Sequence, residues 1–336
     1  MTQPVRRPSA RVVIVNWRQA ELTIRAARSI REQLGGEDVL VIVDNASGDG
    51  SAERLRREGL TVVESSENRG FGAGVNLGAR GMVEDVLVLL NNDAVAEPGF
   101  LEALLAPLGD PPSAAAPAAT TARILLAGRW KPAAPGQQDA LVSPRTGRWT
   151  RLDEEAAARG EGEVLVNSTG NLVDASGNGY DRDWLVPAER EHSPSEVFGL
   201  CGGACAIRRE AWQALKGFRE DLFMYYEDTD LSWRLRERGW QVLYVREAVA
   251  RHDHASSSGT DSPMFIQVNV RNRILTAAAH SPAPVVMQAL ARTLVRTLRG
   301  PQRGPVLRGL TQALAGLPRE LRQRTRGGAR GSARSR

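Results

Sequence analysis

The chain of 336 residues has only two cysteines and no long apolar run. Cys201 and Cys205 lie four residues apart, without the second pair or the histidine spacing that a structural zinc site requires. We interpret both as small buried residues in a reducing compartment. No stretch approaches the ~20 apolar residues that span a bilayer, and the apolar run at residues 11–17 is too short for a signal peptide. We therefore expect a cytoplasmic protein, which can still rest on a membrane.

Acidic residues are nearly absent from the C-terminal end. Residues 291–336 contain twelve arginines and one glutamate, a net charge of +11 against +5 for the whole chain, which leaves −6 for residues 1–290. An arginine tail can bind nucleic acid, but the rest of the chain has no aromatic-basic RNA-binding motif or DNA-reading helix. We expect no nucleic-acid partner and favour peripheral contact of this tail with an anionic membrane surface. A disordered, solubilising tail is the alternative.

Short apolar runs alternate with helical patterns through the first hundred residues. Strand patterns cover residues 11–17, 39–45, 60–65 and 86–93, and helical patterns cover 21–34, 52–58 and 73–80. This rhythm of βαβ units predicts an α/β fold with a mostly parallel central sheet flanked by helices. Ligands of such sheets bind beyond the carboxyl ends of the strands. Three polar signatures fall there: Asn16-Trp17, Asp44-Asn45 and Asn91-Asn92-Asp93.

The composition changes between about residues 110 and 195, where Pro, Ala, Gly and charged residues predominate. We expect an irregular insertion there, with a few strands. Regular patterning returns at Val197, with a strand pattern in GGACAI, a helix at 209–215 and a strand in WQVLYV. Helical patterns fill the sequence beyond residue 262. We predict one domain over residues 1–280 and a helical, arginine-rich and partly disordered tail over residues 281–336.

The segment FMYYEDTDLSWRLRERGW at residues 223–240 places Glu227, Asp228 and Asp230 between aromatic residues and the start of an amphipathic helix. An apolar flank raises the pKa of a carboxyl toward a value that suits proton abstraction. The segment therefore predicts a general base. In the alternative interpretation, Asp230 caps the helix and pairs with Arg234, while Glu227 lies favourably near the positive helix end.

Two segments suit a nucleotide. In VDNASGDGS, Asp44 can accept hydrogen bonds from a nucleobase or ribose, although a simple βα turn with Ser47 or Asp49 as N-cap is the alternative. The glycine-rich run at residues 68–76 precedes a helix, whose N-terminus favours anionic phosphate. That run matches neither the Walker A pattern nor a GxGxxG after the first strand. Ordinary dinucleotide or ATP binding is therefore disfavoured.

A metal ligand is predicted at the end of a hydrophobic strand, where Asp93 follows VLVLLNN. Its hard oxygen suits magnesium or manganese, which keep waters and substrate phosphates as further ligands. One aspartate alone is a poor site. His252 or His254 could add a nitrogen ligand and so favour manganese, whereas a surface or packing role is the alternative for each histidine.

Several segments, taken in order, resemble family 2 glycosyltransferases with the GT-A fold, and particularly their bacterial rhamnosyltransferase-like branch. The resemblance covers roughly residues 11–280, and the ordered set is more specific than any one motif. The segments are VVIVNW, VDNASGDGS, ENRGFGAGVN, LLNNDA, GACAIRREAW, GFREDLFMYYEDTDLSWRLRERGW and RHDHASSSG.

The resemblance implies inverting transfer of a sugar from a nucleotide-diphosphate donor to a hydroxyl of a lipid-linked or cell-envelope glycan, with dTDP-rhamnose as the first choice of donor. Asp228, in the Glu227-Asp228 pair, would be the base. Asp93 and His252 would hold Mn or Mg, although this chain has asparagines at the two positions before Asp93, unlike the stricter DXD pattern. The donor-binding residues would be Asn16, Asp44, Asn45, Gly70, Gly72, Asn76, Asn91 and Asn92.

Two other functions compete with sugar transfer. A non-catalytic nucleotide-sugar-binding or scaffold protein could keep the fold and dock through its tail, but the intact set of Asp93, Asp228 and His252 argues against it. A nucleotidyltransferase acting on sugar phosphates would share the sheet and the metal. Its glycine-rich loop with a basic residue directly after the first strand is missing, since Asn16-Trp17-Arg18-Gln19 stands there.

Overall fold

The computed structural model describes residues 6–109, 117–253, 262–300 and 302–332. The chain begins with β1 (Ala10–Asn16), α1 (Ala20–Arg31), β2 (Val39–Asp44), α2 (Ser51–Arg57), β3 (Val62–Glu64), α3 (Phe71–Gly78), β4 (Val86–Leu90), β5 (Ala94–Ala96) and α4 (Phe100–Leu105). There follow β6 (Ala119–Leu126), β7 (Trp130–Pro132), β8 (Leu141–Ser143), β9 (Gly147–Arg151), α5 (Glu154–Ala158), β10 (Val166–Ser168), β11 (Asn171–Val173), β12 (Gly179–Asp181) and β13 (Glu196–Val197). The last elements are β14 (Ala204–Arg208), α6 (Arg209–Leu215), α7 (Glu227–Arg236), β15 (Val242–His252), α8 (Pro263–His280), α9 (Ala283–Arg299) and α10 (Arg303–Ser332).

The central sheet has the strand order β13-β15-β6-β14-β4-β1-β2-β3, with β10 paired to β6 and β5 paired to β15. The strands β4, β1, β2 and β3 are mutually parallel, and the predicted βαβ rhythm and α/β fold class are confirmed. The sheet as a whole is mixed, because β14 runs antiparallel to both of its neighbours.

The segment expected to be an irregular insertion contains a strand of the central sheet. β6 lies between β14 and β15, and the Thr120 hydroxyl anchors it by donating to the carbonyl of Leu104 at 2.8 Å. The rest of the segment includes a small sheet of order β7-β9-β8 and the hairpin β11-β12. Trp130, Trp149 and Leu185 are buried beneath it. The Ala- and Pro-rich flanks of β6 obscured its strand pattern in the sequence.

Each face of the sheet buries its own apolar layer. Val12 and Ile14 of β1 point to the layer that holds Phe100 of α4, whereas Val13 points to the layer that holds Trp212 of α6. The alternation follows from the two-residue period of a strand. Helices therefore cover both faces, and only the strand ends are left for binding.

The three C-terminal helices pack on one another. Val270 and Ile274 of α8 are buried with Val306 and Leu310 of α10 and with Ala289 of α9. No helix in the described ranges has the length and apolar character needed to cross a membrane. The predicted domain boundary at residue 280 stays a prediction; α8 ends there, and residues 303–332 are helical. Because α10 lies along α8, we propose that α8, α9 and α10 form one helical extension of the domain.

Gly70 makes a tight backbone contact with Phe223, in the segment before α7. It has φ 88° and ψ 178°, a region that is essentially restricted to glycine. A Cβ at this position would lie 1.8 Å from the carbonyl oxygen of Phe223. The glycine-rich run and the segment before α7 therefore meet backbone to backbone.

We predict that Gly70→Ala lowers the free energy of unfolding by more than about 2 kcal/mol, because it adds a clash to backbone strain of about 1–3 kcal/mol. Gly50→Ala is the matched control, since Gly50 also has a positive φ (85°) but nothing within 4 Å of its Cβ position. Denaturant unfolding of both variants is the measurement. Equal losses would show that the contact with Phe223 carries no special cost.

Candidate active site

The polar strand ends of β1, β2, β4 and β15 meet at the carboxyl edge of the sheet. Asn16 pairs in register with Asp44, and His252, at the end of β15, pairs with Ala94 directly after Asp93. The topology thus brings together the signatures that the sequence placed at strand ends.

Asp44 is held by an internal hydrogen-bond network. Its Oδ1 accepts from Asn16 Nδ2 at 2.7 Å and from Ser47 Oγ at 2.6 Å, and its Oδ2 accepts from the Ser47 backbone N–H at 3.0 Å. Thr23 Oγ1 donates to Asn16 Oδ1 at 2.8 Å and fixes that amide. An ionised carboxylate accepts about four hydrogen bonds, so Asp44 keeps capacity for one ligand donor.

Asn45 ties the end of β2 to the glycine-rich run. Its Nδ2 donates to Asn68 Oδ1 at 3.0 Å and to the Gly70 carbonyl at 3.1 Å. Asn68 Oδ1 in turn accepts from the Gly70 N–H at 2.9 Å. Asn45 and Gly70 are therefore fixed relative to each other beside Asp44.

Asn76 and Gly72 face the segment before α7. Asn76 Nδ2 donates to the Phe218 carbonyl at 2.9 Å and to Glu220 Oε1 at 3.0 Å, and its Oδ1 accepts from the Phe218 N–H at 2.9 Å. A Cβ on Gly72 would lie 3.1 Å from Phe218 Cβ. These contacts hold both residues against that segment, and the donor contacts expected for them stay a prediction.

Asp93 and His252 form a buried pair. His252 Nε2 lies 2.9 Å from Asp93 Oδ1, and its Nδ1 lies 2.8 Å from Asn167 Oδ1. Burial acts to lower the pKa of His252, but the Asp93 carboxylate outweighs it and raises the pKa above its usual value. The sequence did not single out Asn167, which lies on β10. His254 lies outside the described residues.

This pair fits a divalent ion in part. It supplies one carboxylate oxygen and one imidazole nitrogen, while the described ranges contain no group of three or more His, Cys, Asp or Glu placed to hold a metal. Magnesium and manganese accept such a sparse set when substrate phosphates and water complete it. Asn91 donates its N–H to the Gly203 carbonyl at 2.8 Å, and the half-buried Asn92 lies in the turn before Asp93.

Asp228 lies near the N-terminus of α7 and is oriented by backbone donors. Its Oδ2 accepts from the Gly202 N–H at 3.0 Å, and its Oδ1 accepts from the Thr229 N–H at 2.6 Å. Burial raises the pKa of Asp228 despite these bonds. Burial and the charge of Asp228 raise the pKa of Glu227 to about 8. Glu227 is buried, whereas Asp228 keeps partial exposure.

The turn at Gly202 and Gly203 connects the two parts of the site. Gly202 donates to Asp228 and Gly203 accepts from Asn91, so the proposed base and the metal-side segment share one backbone turn. A Cβ on Gly202 would lie 3.4 Å from Asp228 Cβ. Nearby, burial raises the pKa values of the Cys201 and Cys205 thiols; Cys205 is buried, as predicted, whereas Cys201 is half-buried.

Asp181 is an acidic residue at this site that sequence reasoning missed. Burial raises its pKa to about 6, and the charges of Asp228 and His252 both act on it. It lies at the end of β12, in the hairpin whose Gly179 N–H bonds to the Tyr226 hydroxyl at 3.2 Å. Its segment, DASGNGYDRDW, contains several similar aspartates, so nothing in the sequence distinguished this one.

Asp230 has a structural role, as the alternative interpretation predicted for its pairing. It contacts Arg234 at 2.7 Å and His280 at 2.9 Å. Burial acts to raise the pKa of Asp230, but the hydrogen bond from His280 and the charges of Arg234 and Arg219 lower it below the usual value. It does not cap α7, because Tyr226, in a left-handed conformation, occupies the N-cap position.

The segment that delivers Glu227 and Asp228 has a strained backbone. Phe223, Tyr225 and Tyr226 have positive φ angles of 68°, 63° and 72°. Asn272 of α8, fully buried, donates through Nδ2 to the carbonyls of Leu222, Met224 and Tyr225 at 2.9, 2.9 and 2.8 Å. The only sequence signal for this role was an asparagine on an otherwise apolar helix face.

We predict that Asn272→Ala lowers the free energy of unfolding by about 2–4 kcal/mol, because the carbonyls of Met224 and Tyr225 lose this donor and the Leu222 carbonyl keeps only its other donors. Asn269→Ala is the matched control, since its Nδ2 makes one bond, to the Phe265 carbonyl of the same helix. Denaturant unfolding of the two variants provides the comparison. An Asn272→Ala protein as stable as the control would refute a stabilising role for the Asn272 hydrogen bonds.

Parts of the sequence match a family model and two related proteins. Residues 11–159 match the family model described as Glycosyl transferase family 2. N-acetylglucosaminyl-diphospho-decaprenol L-rhamnosyltransferase from two Mycobacterium tuberculosis strains, CDC 1551 / Oshkosh and ATCC 25618 / H37Rv, is in each case 27% identical over 269 residues. The alignment covers 72% of this chain and 75% of each relative. The resemblance noted in the sequence is confirmed.

Two solved structures share the fold. GalNAc-T7 with UDP, GalNAc and Mn²⁺ has a TM-score of 0.55 at 17% identity, covering 81% of this chain and 48% of that one, so this chain spans about half its length. Mannosyltransferase PcManGT from Pyrobaculum calidifontis, in complex with GDP-Man and Mn²⁺, has a TM-score of 0.52 at 17% identity, covering 94% and 88%. The predicted GT-A fold is confirmed.

Proposed function

We propose that this chain, whose residues 11–159 match the family 2 glycosyltransferase model, transfers a sugar from a nucleotide diphosphate to an acceptor hydroxyl with inversion. One observation carries the proposal: the Asp93–His252 pair and Asp228 meet at one sheet edge, joined through the turn at Gly202 and Gly203. Inverting transfer needs a base on the acceptor side and charge stabilisation on the leaving-group side, held in line. The two clusters supply one of each.

Asp228 acts as the base in this proposal. Its partial exposure lets an acceptor hydroxyl reach it, and the Gly202 and Thr229 N–H groups fix its two oxygens. Glu227 has a pKa of about 8 and is buried, so it remains protonated at neutral pH and does not compete for the acceptor proton. The alcohol proton moves to an Asp228 oxygen as the hydroxyl oxygen attacks the anomeric carbon and the bond from that carbon to the diphosphate oxygen breaks, so that the nucleotide diphosphate leaves with the electron pair.

Asp93 and His252 would hold a divalent cation, Mn²⁺ or Mg²⁺. Such an ion, when bound, neutralises the charge that develops on a leaving diphosphate. Asn167 orients the imidazole through its Nδ1, as ligand histidines usually require. The two solved structures that share the fold contain Mn²⁺ together with UDP or GDP-Man. They support the proposed ion and a nucleotide-diphosphate donor for this chain.

The donor edge would be formed by Asn16, Asp44, Asn45, Asn91 and Asn92, with Gly70 allowing a close approach to the backbone. The decaprenol-linked substrate and the rhamnose in the relatives' name support a rhamnosyl donor and a lipid-linked acceptor for this chain. A cell-envelope glycan would be the product. We also propose a cytoplasmic protein at the inner face of the membrane, where such an acceptor resides.

We predict that Asp228→Asn lowers the rate of sugar transfer by more than about 100-fold with little change in donor affinity, because the amide cannot accept the acceptor proton. Glu102→Gln, on the exposed surface of α4, is the control and retains full activity. Transfer assays with normally folded proteins make the test. Full activity of Asp228→Asn would remove the assigned base.

The pH profile provides a second prediction. Burial raises the pKa of Asp228, so we expect activity to fall on acidification at a higher pH than for an exposed aspartate, because the base works only when ionised. Glu227, with its pKa of about 8, is already protonated across that range, so Glu227→Gln leaves the acid limb in place. A limb that moves by a full pH unit in Glu227→Gln would instead identify Glu227 as the titrating group.

Donor binding tests the metal side. We expect one class among UDP-, dTDP- and GDP-sugars to raise the melting temperature only with manganese, and Asp93→Ala to lose that effect while Glu102→Ala keeps it. The metal assignment fails if Asp93→Ala responds like the wild type. Stabilisation by no donor would favour the non-catalytic scaffold.

A further inference from the structure

Helix α9 carries apolar side chains on two sides. Val286, Ala289 and Thr293 are buried against α8 and α10. Met287, Leu294, Val295 and Leu298 are 64%, 53%, 53% and 62% exposed. The buried side accounts for the packing of the helix, so the exposed side needs another explanation.

The exposed apolar side chains form a stripe. At 3.6 residues per turn, Leu294, Met287 and Leu298 fall within about 40° of one another, and Val295 lies about 60° beyond. Single exposed aliphatic residues are ordinary, but several on one helix face form a contiguous patch that marks an interaction surface.

A row of arginines borders this stripe. Arg292, Arg296 and Arg299 project between the exposed apolar stripe and the buried side, and residues 283–299 contain no acidic residue. Arg273 adds a further guanidinium at this helix, donating to Thr293 Oγ1 and to the Ala289 carbonyl. An apolar stripe beside a purely cationic row matches the boundary between lipid headgroups and acyl chains.

The neighbouring helix repeats the pattern. Leu307, Leu314 and Leu321 recur every seven residues on α10 and are 49%, 49% and 50% exposed. Arg303, Arg308 and Arg322 belong to the same helix. The apolar and cationic character of α9 therefore continues along the extension.

We propose that α9 docks on an anionic lipid bilayer, with Met287, Leu294 and Leu298 inserted at the headgroup boundary and its arginines on lipid phosphates. Charge favours this occupant over a second copy of the chain, because residues 291–336 carry a net +11 and would repel each other. The inference does not depend on the reaction proposed for the carboxyl edge of the sheet. It assigns membrane contact to a folded helix face, whereas the sequence pointed to the charge of the tail.

A purely electrostatic tail and an inserting helix differ in their response to salt. Contacts between arginines and phosphates weaken as salt screens them. The hydrophobic contribution of inserted aliphatic side chains is not screened by salt. Binding through α9 should therefore persist in part at high ionic strength.

The test is flotation of the full-length protein with phosphatidylglycerol or phosphatidylcholine vesicles. We expect binding to phosphatidylglycerol, and a loss of at least about tenfold in affinity for Leu294→Gln combined with Leu298→Gln, since both lose inserted apolar surface. The matched control is Val83→Gln, at a site 76% exposed and outside the C-terminal helices, which should bind like the wild type. Arg292→Gln with Arg296→Gln should remove the preference for the anionic lipid.

Unchanged binding by the Leu294/Leu298 double variant would overturn the proposal and assign the contact to the tail, which that variant retains. Sedimentation without lipid tests the alternative that a second copy of the chain binds the stripe. A wild-type dimer that the same double variant dissociates would identify the stripe as a subunit interface and also overturn the proposal. Because the substituted side chains are exposed, the fold should be retained, which circular dichroism checks.

Discussion

The arrangement at the sheet edge depends on the contact between α8 and the strained segment before α7. Three of the four residues from Phe223 to Tyr226 have positive φ angles, which costs free energy. Asn272 donates to the carbonyls of Leu222, Met224 and Tyr225, and Arg271 Nη2 donates to the Leu222 carbonyl again at 2.6 Å. Gly70 leaves room for the segment from the opposite side. Without both contacts, the helix N-terminus that carries Asp228 would lack a defined position relative to the sheet.

Buried charge links the same region to the end of the chain. Arg219 contacts Glu320 of α10 at 2.7 Å and Asp230 of α7 at 3.5 Å, and Glu320 is only 2% exposed. A buried ion pair adds little net stability when complete, but removal of one partner is costly. The pairing therefore ties α10, through Arg219, to Asp230 of α7.

Much of this could be predicted from the sequence, for identifiable reasons. The βαβ half follows from strong local periodicity, and Asp93, His252 and Asp228 lie in short motifs at strand or helix ends. Asn272, Asn167 and Asp181 were missed because their roles arise from contacts with residues between 47 and 85 positions away, such as Tyr225, His252 and Asp228, which no local pattern encodes. The partners of Asn76 could not be predicted for a similar reason, since they lie 142 and 144 positions along the chain. β6 was hidden by composition and revealed by its two neighbouring strands.

The position of Asn272 in the chain has a consequence for biosynthesis. A ribosome releases β1 to β4 first, and these strands can pair as soon as β4 emerges, since their parallel ladder needs no later segment. Asp228 follows more than a hundred residues later, and Asn272, which bonds the segment before α7, is made later still. In the nascent protein, the parallel strands β1 to β4 can therefore pair before the segment that contains Asp228 has been made.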